Sequence, residues 1–143
     1  MLKIKRMRDC AQIPRNATAG SAGYDLCAAT ENPVTIHPGE TVSIPTGLAL
    51  QIEEGYAGFI FARSGLGIKH GIVPANCVGV IDSDYRGEVL VGLYNHSKDS
   101  FTVNPADRIA QIVLLPVHTP AIEACEELDD TARGSGGFGS TGR

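Results

Sequence analysis

Glycine or proline interrupts this chain every few residues as far as Pro120, and no apolar pattern of period 3.6 survives three turns between them. Long helices are excluded on that ground. Where apolar residues repeat, they alternate. Leu48, Leu50 and Ile52 alternate with Ala49, Gln51 and Glu53, and Val89, Val91 and Leu93 with Leu90, Gly92 and Tyr94, which is the period of half-buried strands. Further short runs at Leu2–Lys5, Thr41–Ile44, Ala57–Phe61 and Arg108–Val117 are set off by turn clusters such as His37-Pro38-Gly39-Glu40 and Asn104-Pro105-Ala106-Asp107. Many short strands predict an all-β sandwich, jelly roll or barrel. One short helix is expected over Ser64–Lys69, with Ser64 as its N-cap and Gly71 just past its end.

The 143 residues suffice for about one domain, and a fold boundary is expected near residue 130. Residues 131–143, from Arg133 through Gly134-Ser135-Gly136-Gly137 to Arg143, are too rich in Gly and Ser to fold alone. Phe138 among those glycines, with Arg133, Ser140 and Thr141, suits a segment that orders over a ligand bearing phosphate oxygens. A net charge of −4 argues against a general nucleic-acid coat or an anionic-membrane binder, so a polyanionic ligand needs local cations. The longest apolar stretch, Ile112–Val117, is far too short to span a bilayer, and the N-terminus offers no apolar signal core. A soluble, cytoplasmic protein is expected. Its basic start, Lys3, Lys5, Arg6 and Arg8, reads as the solvated face of a first strand. Cys10, Cys27, Cys77 and Cys125 form no metal-spaced pair and are expected as reduced, mostly buried thiols.

Several clusters are suited to chemistry. Arg63-Ser64-Gly65 sits where strand meets helix, so a guanidinium, a hydroxyl and free backbone N–H groups converge as an oligophosphate requires. No G-x-x-x-x-G-K-[ST] occurs, which disfavours P-loop chemistry. Gly79-Val80-Ile81-Asp82-Ser83-Asp84-Tyr85-Arg86-Gly87 reads as strand, polar turn and entry to the next strand, with Asp82 directly after a buried apolar run and Tyr85 three residues on. Asn76 offers an amide near its start. Asp25 interrupts an apolar strand, where a lone Asp usually faces water but can also face a metal-bound phosphate. Gln111, among Ile109, Ala110, Ile112 and Val113, asks for a ligand or a subunit contact to offset its desolvation. His37, His70, His96 and His118 pair with no nucleophile in a known motif and read as surface or core residues.

These segments, taken in order, resemble the five motifs of the homotrimeric dUTP diphosphatases, or dUTPases. Ala22–Ala28 resembles the first motif, Ala62–Gly67 the second, Gly79–Asn95 the third, Asp107–Pro116 the fourth and Arg133–Gly142 the glycine-rich fifth. Two departures are small: Phe61 stands where a proline is common, and Gly67 where alanine is frequent. The resemblance implies a jelly-roll-like β barrel with one short helix, assembled as a homotrimer whose active sites draw on all three chains. It implies Mg²⁺-dependent hydrolysis of dUTP to dUMP and pyrophosphate, limiting uracil in DNA and supplying the thymidylate precursor.

Carried over by residue, the resemblance makes Asp82 the carboxylate that activates water at the α-phosphorus and Gln111 the amide near that water. Tyr85 becomes the ring that leaves no room for a 2′-hydroxyl, and Asn76 the reader of uracil. Gly79 and Ile81 join the substrate-binding strand; Arg63, Ser64 and Gly65 hold phosphates; Asp25 reaches Mg²⁺ through water. Arg133, Phe138, Gly139, Ser140 and Thr141 form the closing arm. The rivals are a dCTP deaminase-like or bifunctional enzyme, opposed by the absence of any Glu between Glu54 and Glu88, and a catalytically idle nucleotide-binding regulatory trimer. No stable nucleic-acid or membrane partner is expected.

Overall fold

The computed structural model describes residues 1–137, and the alternation seen in the sequence becomes eleven strands and one helix among them. β1 (Lys3–Arg6) pairs antiparallel with β5 (Leu48–Gln51), and β3 (Val34–Ile36) with β10 (Phe101–Val103). A four-stranded sheet runs in the order β2 (Tyr24–Cys27), β11 (Arg108–Pro116), β6 (Tyr56–Phe61), β8 (Gly79–Ile81). A three-stranded sheet places β9 (Leu90–Asn95) between β4 (Thr41–Pro45) and β7 (Ile72–Pro74). Each sheet gives its apolar face to one core, in which Leu26, Ile36, Ile44, Leu48, Leu93 and Ile112 are at most 1 % exposed. The result is a jelly-roll-like all-β fold whose strands cross between small sheets.

Two polar side chains lie wholly inside this core and are fully engaged. Thr46 Oγ1 donates to the Val89 carbonyl at 2.7 Å. Asn95 Nδ2 donates to the carbonyls of Ile36 (2.9 Å) and Asp99 (2.8 Å), while its Oδ1 accepts from the Ser97 backbone N–H (2.9 Å) and hydroxyl (2.7 Å). All four hydrogen-bonding positions of the amide are used, so it fastens the end of β9 to β3 and to the loop after β9.

Four expectations change. The helix α1 covers Ser64–His70, and its N-cap is Arg63, not Ser64. Arg63 keeps the extended backbone of β6 (φ −83°, ψ 135°) while its guanidinium is drawn aside to Asp25, and no side chain caps the helix. Gly71 ends α1 in the left-handed region at φ 67°, as expected. Ala49 is buried although the alternation puts it outward: it pairs with Lys5 of β1, and Lys3, Lys5 and Arg86 border the same hollow. The run before Asp82 is not buried: among the described residues β8 is an edge strand paired only with β6, leaving Val80 55 % exposed. Finally, the thiols are unpaired but not mostly buried, since Cys10, Cys77 and Cys125 lie in exposed loops, turns and the C-terminal segment.

Candidate active site

One end of the four-stranded sheet gathers the charged candidates. Asp25 pairs across the ladder with Gln111, and Gln111 with Phe61, so the three stand in one row. Beyond Phe61 the chain turns through Ala62 and Arg63 into α1. Gln111 Nε2 donates to the Ala62 carbonyl at 3.0 Å, so this amide proton finds its partner inside the chain and steadies the turn that presents Arg63. Arg63 Nε donates to Asp25 Oδ1 at 2.8 Å, and Arg108 Nη1 donates to Oδ2 at 3.2 Å. Asp25 therefore does not face bulk water; its side chain is 20 % exposed between two guanidiniums. A register shift between Arg108 and Ala110, opposite Cys27 and Leu26, re-aims Arg108 toward that carboxylate.

Two guanidiniums on one carboxylate leave a net positive charge with donors to spare. A hollow of about 400 Å³ lies on the α1 side, lined by Arg63, Gly65, Lys69 and Arg108 among others. Another of about 920 Å³ lies on the side of the N-terminal loop, lined by Arg6, Arg15, Asp25 and Arg108 among others. Ser64 and Gly65 occupy the first turn of α1, where backbone N–H groups have no intrahelical acceptor. Cys27 borders the same cluster, but burial pushes its thiol pKa up, helped by Asp25, so it stays protonated and is no nucleophile. Among the described residues no three His, Cys, Asp or Glu side chains gather as a metal cage. Asp25 suits Mg²⁺ only through water: each oxygen already accepts from an arginine, and Mg²⁺ commonly keeps several waters and takes phosphates as its other ligands.

The second cluster lies in the turn from β8 to β9. Tyr85 N–H closes the turn on the Asp82 carbonyl at 3.2 Å, and the Tyr85 hydroxyl donates to the Glu88 carbonyl at 3.1 Å. Asp82 is exposed at the mouth of a hollow of about 220 Å³ lined by Val80, Ile81, Tyr85, Glu88, Val89 and Leu90. Leu90 also lines a neighbouring hollow of about 190 Å³ with Ile60, Asn76, Gly79 and Gly92. β7 pairs with β9 only as far as Leu93, so the edge of β9 at Leu90 and Val91 is open toward the unpaired edge of β8. Gly79 keeps this gap clear, since a Cβ there would meet Ile60 Cβ at 3.2 Å and Asn76 Nδ2 at 3.6 Å. A flat base entering the gap would meet backbone donors and acceptors along with the Asn76 amide.

One chain does not bring these clusters together. Gly79 pairs with Ile60 and Ile81 with Gly58, so Asp82 flanks β6 near Ala57, whereas Arg63 follows the opposite end. The four-residue step from Ala57 to Phe61 alone is about 13 Å of strand. Asp82, Tyr85, Asn76, Gly79 and Ile81 thus form one half-site, and Asp25, Arg63, Ser64, Gly65 and Gln111 the other.

Arg133 is exposed, with Nε donating to the Gly136 carbonyl at 2.9 Å; Phe138, Gly139, Ser140 and Thr141 lie outside the described residues. Sequence reasoning missed Arg108, because no local spacing tells that a strand-entry arginine meets Asp25. It also missed the ion pair of Arg8 with Glu88 (Nε–Oε1 2.7 Å), whose members stand 80 residues apart.

A family profile described as dUTPase matches residues 9–142. The chain is 51 % identical over 143 residues to the deoxyuridine 5′-triphosphate nucleotidohydrolase of Janthinobacterium sp. (strain Marseille), covering 99 % of this chain and 96 % of that one. Its structure is similar to that of the Staphylococcus bacteriophage 80alpha dUTPase with dUPNHPP, at TM-score 0.91 and 29 % identity, covering 100 % and 99 % of the two chains. It is also similar to the D95N mutant dUTPase from phage phi11 of S. aureus, described for its coordination of a structural Mg(II) ion, at TM-score 0.81 and 26 % identity, covering 89 % and 97 %.

Proposed function

Since this chain belongs to the dUTPase family, we infer that it hydrolyses dUTP to dUMP and pyrophosphate, and that it does so as a homotrimer with the two half-sites contributed by different chains. The observation that supports this arrangement is the placement of Asp82 and Arg63 at opposite ends of β6. A cationic half-site and a base-and-sugar half-site are both complete in themselves, and they meet only across a contact between copies.

In this reading the nucleoside lies between β8 and β9, with Asn76 reading uracil, Gly79 and Ile81 bordering it and the Tyr85 ring set against the deoxyribose. Arg63, Ser64 and Gly65 of another copy hold the phosphate chain. Asp82 accepts a proton from a water whose oxygen attacks the α-phosphorus; the bond from that phosphorus to the bridging oxygen breaks, and pyrophosphate leaves. Gln111, whose Nε2 is taken by the Ala62 carbonyl, keeps its Oε1 to orient the water. An aspartate is a weak base at neutral pH, and general-base help contributes about 10²–10⁴ in rate. Charge neutralisation and in-line positioning supply the larger share. Asp25 would hold Mg²⁺ through water, and the ion would supply positive charge beside the phosphate chain. Arg133, Phe138, Gly139, Ser140 and Thr141 close over the bound nucleotide and exclude bulk water.

The single glutamate lining the hairpin hollow is Glu88, whose carboxylate is held by Arg8, an arrangement that does not suit attack on a cytosine ring. The test is product analysis with Mg²⁺ and dUTP, dCTP, dTTP or UTP supplied separately. Selective dUMP and pyrophosphate from dUTP is the expected result. Uracil products from dCTP, or no turnover of any nucleotide, would overturn the assignment.

A further inference from the structure

We propose that Arg8 and Glu88 form a clamp that positions the Tyr85 ring and so sets how strongly the enzyme rejects ribonucleotides; this rests on the reading of Tyr85 as the ring against the sugar. The Tyr85 hydroxyl ends on the backbone carbonyl of Glu88 at 3.1 Å. Gly87 lies beneath the ring, and a Cβ there would overlap the Tyr85 hydroxyl. A ring tethered at its tip to one carbonyl is placed only as firmly as that carbonyl.

Glu88 is held by three hydrogen bonds from two partners. Its carboxylate accepts Arg8 Nε at 2.7 Å and Arg8 Nη2 at 3.0 Å, a two-point contact, and the Gly47 backbone N–H at 2.9 Å. Arg8 belongs to the loop after β1 and Gly47 to the turn between β4 and β5. Gly47 is itself tied to the loop after β1, its carbonyl accepting the Met7 N–H at 2.7 Å, and only glycine fits there, with φ +68° and Ala11 and Ala29 where a Cβ would stand. At the other end of the turn, Arg86 donates to the carbonyls of Ser83 (2.7 Å) and Tyr85 (2.9 Å). The tip of the β8–β9 turn is thereby braced by its own bonds, and its angle to the body is fixed at Glu88. The Arg8 guanidinium holds the Glu88 carboxyl below the usual carboxylate range, so the pair is ionised at neutral pH. Arg8 acts through Tyr85 and is a positioning residue.

Rejection of one extra hydroxyl by shape alone is sensitive to small displacements of the wall that excludes it. In the full-length enzyme, Arg8→Met is expected to leave kcat on dUTP within about twofold while lowering the ratio of kcat/KM for dUTP over UTP by about tenfold. Arg8→Lys, which keeps the charge but not the two-point contact, falls between. Glu88→Gln, a gentler change that preserves the carbonyl under Tyr85, lowers the ratio in the same direction. The double variant Arg8→Met with Glu88→Gln is no worse than the worse single one, because both remove one coupling. Tyr85→Ala serves as the reference. Collapse of the ratio in Tyr85→Ala with an intact ratio in Arg8→Met overturns the clamp alone, even if Arg8→Met melts earlier. An unchanged ratio in Tyr85→Ala overturns the reading of Tyr85 and the clamp together.

Discussion

If the half-sites come from different copies, two dead variants should revive each other. Arg63→Ala removes a phosphate-binding group and leaves the hairpin intact; Asp82→Asn removes the base and leaves the cationic end intact. The register that puts Asp82 beside Ala57, about 13 Å of strand before the chain even leaves β6 toward Arg63, forbids one chain from using both. In trimers assembled at random from equal amounts of the two, a site works when its cationic half comes from the Asp82→Asn chain and its hairpin from the Arg63→Ala chain. That combination occurs in about one quarter of sites. Isolating the mixed trimers through two affinity tags after co-expression removes the dead homotrimers and leaves one working site of the three in each trimer, so pyrophosphate release should recover about a third of wild-type activity. Isolated mixed trimers no more active than either parent would refute the reasoning, because the half-sites would then meet within one chain.

Asp82→Asn alone is expected to bind a non-hydrolysable dUTP analogue normally while losing about 10²–10⁴ of turnover; near-normal kcat would remove Asp82 from its role. Asn95→Ala removes the side-chain partner of the Ile36 carbonyl in the core and of the Asp99 carbonyl and the Ser97 N–H and hydroxyl and should cost about 2–4 kcal/mol in urea unfolding, whereas a change below about 0.5 kcal/mol would contradict the burial argument. Glu88 has its carboxyl pKa lowered by Arg8, so its contribution to stability is present above the unfolded glutamate pKa and is lost as pH falls through the lower folded value. Wild type should then lose more stability than Glu88→Gln when acidified below about pH 4, and parallel pH profiles of the two would show that the pair has no folded-state linkage.

The strands and their turns were legible in the sequence because alternation and Gly-Pro punctuation are local signals. The pairs Leu48 with Leu50 and Val91 with Leu93 face the core as their period predicts. Gly71 was legible for the same reason: a left-handed residue after a helix favours glycine. What failed depended on neighbours far along the chain. The cap is the local exception: the chain is already helical at Ser64, so Arg63, still in extended backbone, takes the N-cap position. Ala49 is buried where β1 and the β8–β9 turn border one hollow, and Val80 is exposed because, among the described residues, β8 has a single neighbour. For the site, the residue types and their order were readable, but the division into two half-sites follows from the β6–β8 register, which no local pattern encodes.

That division also ties catalysis to abundance. On the proposed arrangement no chain carries a whole site, so output per chain is governed by mass action: when the protein is diluted past the point where its copies separate, specific activity declines with it. Total turnover then rises more steeply than linearly with the amount of chain made, and a modest fall in expression removes more hydrolysis than its own proportion.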